Sequence, residues 1–244
     1  MTNKNYDKLF KVIEKELNMI DPNLREWNFN YFSAHKNRYA SDLEIIESYY
    51  TKGEILEVGS VPCHLTYCLK KLGYPVIGLD LNPNRVKSFI EKHNLTVIKC
   101  DIEKDKLPFE ANKFGLIIFN EVFEHLRIDP IFTLKELNRV LKPGGIMILT
   151  TPNLYFLGKI IRFLIGRGFN DAYTEFKKLH TLGHMGHIRE YSTKEVKQFL
   201  ENTGFKVIKI EYKIYNKTKI PFLGLACRII PKWRPFQVII SKKT

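Results

Sequence analysis

The stretch that decides the fold is Ile55-Leu-Glu-Val-Gly-Ser-Val-Pro-Cys-His64, followed further on by Leu79-Asp-Leu-Asn-Pro83. A short apolar run leads into Gly59, where a tight turn needs the conformational freedom of glycine. A helical pattern and a second apolar run follow, and Asp80 stands at the end of that second run. The pattern predicts a strand, a turn, a helix and a second strand with a carboxylate at its tip.

The alternation of strand and helix patterns continues along the chain. Apolar runs predict strands at 55–58, 76–79, 96–99, 114–119, 146–150, 205–212 and 236–241. Helical patterns lie at 4–20, 36–50, 65–72, 84–93, 130–141 and 193–202. Strands that alternate with helices imply an α/β fold with a parallel sheet and right-handed crossovers.

One segment, residues 153–190, breaks this rhythm. It holds an apolar piece and then a run rich in His and Gly, so we expect a partly helical, mobile lid over the carboxyl edge of the sheet. The chain is predicted to form a single domain over 1–244. Its parts are N-terminal helices at 1–50, a cofactor-binding core at 54–150, the lid at 153–190, and a C-terminal helix and strands at 192–244.

The composition indicates which partners and which cellular compartment to expect. The 244 residues carry 39 Lys and Arg against 26 Asp and Glu, a formal charge of +13 that favours nucleic acid, phosphorylated substrates or an acidic membrane surface. A solvated, Lys-rich surface is the alternative. The four cysteines form no CxxC pair, the N-terminus has no apolar signal region, and no apolar run is long enough to span a bilayer, so we expect a cytoplasmic protein.

Polar residues at the strand ends predict a cofactor site, because ligands of open α/β sheets bind beyond the carboxyl ends of the strands. Asp80 follows Gly59 at the distance where a carboxylate can accept both ribose hydroxyls. Asp101, after the third strand, is placed to meet an adenine edge. Arg38, upstream of the first strand, is suited to pair with a cofactor carboxylate.

Five motifs stand in order along the chain: ILEVGS, VIGLDLNP, CDIEKDKLPFE, FGLIIFNEVFEHL and LNRVLKPGGIMILTTPN. The region 36–150 that holds them resembles class I S-adenosylmethionine-dependent methyltransferases. The resemblance implies a Rossmann-like sheet of seven strands in the order 3-2-1-4-5-7-6, mostly parallel with the last strand antiparallel, and with helices on both faces. The predicted cofactor-binding residues are Arg38, Glu57, Gly59, Asp80, Leu81, Asp101, Ile102 and Asn120.

By position in these motifs, the resemblance implies a role for each part of the site. Gly59 would run along the methionine part of S-adenosylmethionine, Asp80 would hold the ribose, and Asp101 with Ile102 would flank the adenine. Asn120 would lie under the sulfonium side.

The glycine loop departs from the family pattern, since Val61 and Cys63 stand where the second and third glycines are common. Side chains at these positions are expected to take space beside the cofactor, so that the loop bows outward around Pro62 or cofactor affinity falls. The missing glycines also disfavour a NAD-type dehydrogenase, whose pyrophosphate needs all three.

A cluster of acids and an imidazole follows the fourth strand. The spacing of Glu121, Glu124 and His125 puts them on one face of a turn or helix start. Two carboxylates and an imidazole suit Mg²⁺, Mn²⁺ or Fe²⁺. A cation there would bind two substrate oxygens, lower the pKa of a hydroxyl and aim it at the methyl group.

This ExxEH pattern resembles ubiquinone-biosynthesis O-methyltransferases and the enzymes that 2′-O-methylate the 3′ ends of small RNAs. In the latter a further His completes the metal site and precedes an acid–aromatic–hydroxyl run, which His187-Ile-Arg-Glu-Tyr-Ser matches. The resemblance implies Glu121, Glu124, His125 and His187 as metal ligands, with Glu124, His125 and His187 catalytic. His180 and His184 compete with His187 for the fourth position.

Two other interpretations of the cluster stay open. Without a metal, His125 would serve as a general base, because its ordinary pKa lies near neutrality. Alternatively, the cluster is purely structural.

Three functions remain open at this stage. The leading hypothesis is O-methylation of a small anionic or sugar-linked acceptor. It rests on the five motifs and on the ExxEH pattern with His187. A loose resemblance of the basic apolar tail, 219–235, to enzymes of surface-polysaccharide and lipid modification adds that context. An RNA 2′-O-methyltransferase and a degenerate cofactor-binding module are the alternatives. The same tail is expected either to contact a membrane surface or to pack as an apolar edge on the domain. The oligomeric state has no signal in the sequence.

Overall fold

A sheet of seven strands organises the chain, which the computed structural model describes over residues 6–17, 22–182, 186–216 and 221–244. The strands are β1 Glu54–Val58, β2 Val76–Asp80, β3 Val97–Lys99, β4 Phe114–Asn120, β5 Leu141–Pro152, β6 Phe205–Lys213 and β7 Phe236–Lys243. Their order is β3-β2-β1-β4-β5-β7-β6. Only β7 runs antiparallel to its neighbours, β5 and β6. The predicted sheet and strand order are therefore confirmed.

Helices cover both faces of the sheet. They are α1 Asp7–Leu17, α2 Pro22–Tyr49, α3 His64–Lys71, α4 Lys87–Lys92, α5 Pro130–Val140, α6 Leu157–Leu164, α7 Ala172–Leu182, α8 Thr193–Asn202 and α9 Pro221–Ile229. Ile55 packs with residues of α1, α2 and α3, whereas Leu56 and Val58 pack with residues of α5 and α8. This alternation along β1 buries the strand on both sides, as its nearly continuous apolar sequence predicts.

Several boundaries differ from the predictions. The helix predicted at 36–50 begins at Pro22, and the helix predicted at 84–93 is a 3₁₀ turn, Pro83–Val86, followed by α4. Of the helix predicted at 4–20, the described part is Asp7–Leu17, and residues 4, 5 and 18–20 lie outside the described ranges. Strand β5 starts at Leu141, before the predicted 146. Phe114 pairs with Leu141 and Leu116 pairs with Ile146, so residues 142–145 are displaced from the ladder. The Lys-Pro-Gly-Gly sequence at 142–145 therefore forms a bulge within β5.

The segment 153–190 leaves the sheet at the carboxyl end of β5 and carries α6 and α7. Its base is closed by a parallel bridge between Asn153 and Tyr191. The side-chain amide of Asn153 donates to the carbonyls of Lys232 and Arg234, at 2.8 Å each. The insertion is thus anchored at both ends beside the strand tips, while its mobility stays a prediction. Within the described ranges, the helices are too short or too polar to cross a bilayer.

Gly59, directly after β1, supports a sharp prediction about stability. Its φ is +73°, and a Cβ there would overlap Cγ2 of Val122. Gly59→Ala should lower the free energy of unfolding by about 2–4 kcal/mol, from backbone strain together with overpacking. Gly73→Ala is the matched control, because Gly73 has φ +85° and open space around the missing Cβ. The free energy of unfolding of Gly73→Ala should fall by about 1 kcal/mol. Equal losses for the two variants in urea denaturation would refute the steric argument.

Candidate active site

The loop after β1 is tied to the tip of β2 by backbone and carboxylate contacts. Gly59 N and Ser60 N both donate to the carbonyl of Leu79, at 2.8 and 3.1 Å. The carboxylate of Asp80 accepts from Val61 N at 2.9 Å and from Asn82 N at 2.8 Å. Asp80 therefore stands at the predicted strand tip and fixes the loop, and each of its oxygens keeps a further lone pair for a ligand.

The replaced glycines do not project beside the strand tips as expected. Cys63 is fully buried in the core that α1, α2 and α3 share with the sheet, and Val61 packs partly buried against that core. Cys63 also has φ +66°, the left-handed conformation that glycine adopts without strain. The loop keeps a glycine-like backbone here and turns its side chains inward.

Glu57 is buried beneath this loop. Its carboxyl accepts a hydrogen bond from the hydroxyl of Thr66 in α3. Burial raises the pKa of Glu57 to about 8, although the Thr66 hydrogen bond opposes the rise. The predicted cofactor-binding residue thus lies inside the domain, where it holds α3 against β1.

The pKa of Glu57 makes stability depend on pH. Between the unfolded value of 4.5 and the folded value of about 8, the folded state binds the extra proton. The free energy of unfolding therefore falls as pH rises through this window. Glu57→Gln should remove up to about 4 kcal/mol of the loss between pH 5 and pH 8, measured by denaturation at each pH. Parallel pH profiles for the variant and the wild type would contradict the assignment.

Arg38, on α2, is a nearly buried cation with loosely held partners. It is 9% exposed. Its Nη1 lies 3.9 Å from Glu121 Oε2, and its Nε lies 4.0 Å from Asp42 Oδ2. Burial raises the pKa of the Asp42 carboxyl to about 7, with Arg38 opposing. Among the described residues, Arg38 Nε has no hydrogen-bond partner. A buried guanidinium with unfilled donors suits a carboxylate ligand.

Two further polar groups with unfilled hydrogen bonds lie beside Arg38. The amide of Asn120, at the end of β4, adjoins the Asp42 carboxyl but has no hydrogen bond of normal geometry within the described chain. The hydroxyl of buried Tyr215 is likewise without a partner there, and it lies near Asp42, Glu121 and Arg38. Buried polar atoms are normally satisfied, so these groups mark a place where a polar ligand fits.

Glu124 and two histidines form a compact cluster at the tip of β4. Glu124 is fully buried, and its Oε2 accepts from the Thr151 hydroxyl at 2.9 Å. Its Oε1 lies 4.0 Å from His125 Nε2 and 3.9 Å from His187 Nε2. One ligand atom from each of the three side chains lies within 4.8 Å of the others. Burial, together with the charge of Glu121, raises the pKa of Glu124 well above its ordinary value.

The far side of each imidazole is held by an acceptor. Nδ1 of His125 lies 3.0 Å from the carbonyl of Gly186, and Nδ1 of His187 lies 3.0 Å from Glu190 Oε1. Because a carbonyl and a carboxylate can only accept, each Nδ1 donates its proton on that side, and each Nε2 is the ring nitrogen that faces Glu124. A histidine held in this way by an outer carboxylate or carbonyl is typical of metal ligands.

The backbone brings His187 to this place from a distant part of the chain. Ile188 N and Arg189 N both donate to the carbonyl of Glu124, at 2.9 and 3.2 Å. Glu190, next along, is ion-paired with Lys159 of α6 and accepts from Asn170 at 3.1 Å. Two anchors therefore fix His187, one through the main chain and one through Glu190.

Glu121 lies outside this cluster. Its φ is +55°, its Oε1 accepts from the Thr150 hydroxyl at 2.9 Å, and its Oε2 faces Arg38. Burial raises the pKa of Glu121, with Arg38 opposing. Its role as a fourth metal ligand stays a prediction.

The other predicted residues are placed as follows. His180 is exposed on α7 and is not part of the cluster, and His184 lies outside the described residues. Asp101, just after β3, is ion-paired with Lys104 at 3.2 Å, Ile102 is partly buried beside it, and Leu81 is exposed after β2.

Three residues of the site were missed in the sequence. Glu190 could have been predicted from the sequence, because it is the acid of the acid–aromatic–hydroxyl run that follows His187. Asp42 and Tyr215 could not have been, because only the folded chain brings them to Arg38.

The comparison with known families decides the class of protein. A sequence profile described as a methyltransferase domain matches residues 25–210. The chain belongs to the class I S-adenosylmethionine-dependent methyltransferases. Arg38 Nε and the amide of Asn120 have unfilled hydrogen bonds among the described residues, and the roles that the family resemblance implies for Arg38, Asn120 and Asp80 stay predictions.

Individual relatives of this methyltransferase match over nearly its whole length. An uncharacterised protein of Methanocaldococcus jannaschii is 28% identical over 226 residues, 82% of this chain and 86% of its own. A ubiquinone biosynthesis O-methyltransferase of Pelagibacter ubique is 23% identical, covering 90% of this chain and 95% of its own. The fold is similar to that of a Thermotoga maritima S-adenosylmethionine-dependent methyltransferase, with a TM-score of 0.60 at 21% identity, covering 96% of this chain and 99% of the other.

Proposed function

We propose that this methyltransferase transfers the methyl group of S-adenosylmethionine to a hydroxyl oxygen of a small acceptor, and that Glu124, His125 and His187 hold a divalent cation there. The observation that carries the proposal is the pair of imidazoles whose Nδ1 atoms are engaged and whose Nε2 atoms face one buried carboxylate oxygen. One oxygen and two nitrogen donors suit Mn²⁺ or Fe²⁺ well and Mg²⁺ less well.

The buried carboxyl group of Glu124 supports a cation for an electrostatic reason. Burial and the nearby Glu121 disfavour its ionised form, and its Oε1 has no hydrogen-bond partner among the described residues. A positive ion would restore the ionised form and satisfy this oxygen. When bound, such an ion acts as a Lewis acid that lowers the pKa of an acceptor hydroxyl.

The remaining residues then position the reactants. Arg38 would pair with the cofactor carboxylate and Asp80 with the ribose, so the methyl group would be held near Asn120 at the end of β4. Glu190 keeps the His187 ring aimed at Glu124 through Nδ1. Methyl transfer is an in-line displacement, so this fixed arrangement of donor and acceptor supplies much of the rate.

The class of acceptor is supported by charge and by one relative. A formal charge of +13 favours an anionic acceptor. The ground for a sugar-linked acceptor in surface-polysaccharide biosynthesis is the loose resemblance of the tail 219–235. The Pelagibacter ubique relative is named as an O-methyltransferase, which is in keeping with transfer to oxygen here.

The test is methyl incorporation from labelled S-adenosylmethionine into catechols, sugar nucleotides, phosphorylated sugars and bulk RNA. We expect labelling of an oxygen in one of the small acceptors, loss of labelling with EDTA and recovery with Mn²⁺. If EDTA leaves the amount of labelling unchanged, the proposed cation site is refuted. If the label is found only on nitrogen or carbon, O-methylation is refuted.

RNA is a second candidate acceptor, favoured by the same charge and by the resemblance of the Glu–Glu–His–His pattern to small-RNA 2′-O-methyltransferases. In that case bulk RNA would be labelled, and labelling would fall steeply with salt because phosphate contacts release counterions. Labelling of small acceptors without RNA would reject this candidate.

A further inference from the structure

Helices α6 and α9 contact each other and present apolar side chains to solvent. None of the residues of α6 is buried, and Leu164 is 75% exposed. On α9, Phe222 is 73% exposed and Ile229 is 70% exposed. Contiguous apolar exposure of this kind marks an interaction surface in a water-soluble fold.

The exposed residues of α9 form one face of the helix. Leu223 and Cys227, four residues apart, are buried and attach α9 to the domain. Phe222, Leu225 and Ile229 follow a spacing of three and four residues on another side and are exposed. The helix is therefore apolar on two sides, and only one of them is used for packing within the domain.

The two segments that form this surface carry only basic charged residues. Segments 154–170 and 221–235 contain no Asp or Glu. They carry six basic residues, Lys159, Arg162, Arg167, Arg228, Lys232 and Arg234. Lys159 is paired with Glu190, Arg162 interacts with the neighbouring Asp171, and Arg234 donates to backbone carbonyls. Arg167, Arg228 and Lys232 are exposed, so the two segments carry a net positive charge.

We propose that α6 and α9 form a surface that lies on an anionic lipid bilayer. This surface, the α6–α9 face, consists of Ile161, Leu164, Ile165, Phe222, Leu225 and Ile229 with the basic residues around them. Short helices with an apolar side and basic flanks insert the apolar side at the headgroup boundary, while Lys and Arg contact acidic lipids. A protein partner would need acidic groups in the same arrangement, whereas an anionic bilayer supplies them everywhere.

Helix α6, which carries part of the α6–α9 face, lies next to the histidine cluster. Lys159 of α6 is paired with Glu190, whose other oxygen holds Nδ1 of His187. A bilayer contact at α6 would therefore place the active site close to the membrane surface. The inference rests on exposure and charge alone and holds whether or not a cation binds at Glu124.

The experiment is sedimentation of the purified protein with vesicles of phosphatidylcholine alone, and of phosphatidylcholine with phosphatidylglycerol. We expect binding to the acidic vesicles, weaker binding to the neutral ones, and loss of binding as salt is raised. Leu164→Ser with Leu225→Ser should weaken binding about tenfold or more, because inserted apolar area is lost. Arg162→Gln with Arg167→Gln should weaken it about fivefold per residue.

The matched control is Ile131→Ser, which removes an apolar side chain that is 47% exposed on α5, outside the α6–α9 face. It should leave vesicle binding unchanged, and thermal unfolding should show all variants folded. No binding to acidic vesicles, or binding that the four substitutions leave intact, would overturn the proposal. Self-association that Leu164→Ser and Leu225→Ser abolish, without vesicle binding, would instead assign the face to a second copy of the chain.

Discussion

Glu124→Gln should abolish tight Mn²⁺ binding while leaving S-adenosylhomocysteine binding in place. The substitution keeps the shape of the side chain and lets Thr151 go on donating to a carbonyl oxygen, but it removes the carboxyl group that would ionise against a bound cation beside both histidines. We expect Mn²⁺ affinity, measured by calorimetry or electron paramagnetic resonance, to fall on the order of a hundredfold or more. Methyl transfer that depends on Mn²⁺ should fall with it.

The free energy of unfolding of Glu124→Gln should rise or stay unchanged, because a neutral amide is easier to bury than a carboxylate. The matched control is Glu136→Gln, another buried glutamate, which accepts from Leu107 N and pairs with Arg139 away from the site. That variant should lose stability and keep its Mn²⁺ affinity. Unchanged Mn²⁺ binding in Glu124→Gln would refute the site, and equal losses in both variants would point to a general structural effect.

Arg38→Met should remove the preference of the protein for ligands that carry a carboxylate. In the wild type we expect S-adenosylhomocysteine to bind far more tightly than 5′-methylthioadenosine, which lacks the amino-acid part. The variant should lose about 2–4 kcal/mol of this difference, the usual penalty for truncating one partner of a buried charge pair. Calorimetry with both ligands on both proteins gives the coupling directly.

Binding of 5′-methylthioadenosine itself should change little, which separates a lost contact from a damaged fold. Arg139→Met is the control, because Arg139 is a half-buried arginine held by Glu136 and by the carbonyls of Leu107 and Phe109. It should lower stability and leave the ligand preference intact. An unaltered preference in Arg38→Met would exclude Arg38 from the carboxylate contact.

The sheet was predictable because strands that are buried on both faces have nearly continuous apolar sequences, as in Phe114–Asn120. The start of β5 was harder to predict, because the displaced residues 142–145 have the sequence of a turn. The strand order itself came from the family resemblance, and no local pattern contains it.

The backbone at Glu121 differs from the regular turn that the spacing predicted. Placing Glu121 with Glu124 and His125 assumed that all three share one helical turn. In the structure Glu121 has a left-handed backbone, and only Phe123–His125 forms a 3₁₀ turn, so the Glu121 carboxylate is rotated toward Arg38. Glu124 and the adjacent His125 both lie within that turn.

The carbonyl of Glu124, which accepts from Ile188 N and Arg189 N, has a consequence for how such an enzyme diversifies. Because main-chain atoms make this attachment, substitutions at positions 188 and 189 leave its donors unchanged. Substitutions between β5 and His187 that spare Lys159 and Asn170, which hold Glu190, should therefore leave the imidazole in place against Glu124. The rest of that segment can vary in sequence while the histidine cluster keeps its geometry.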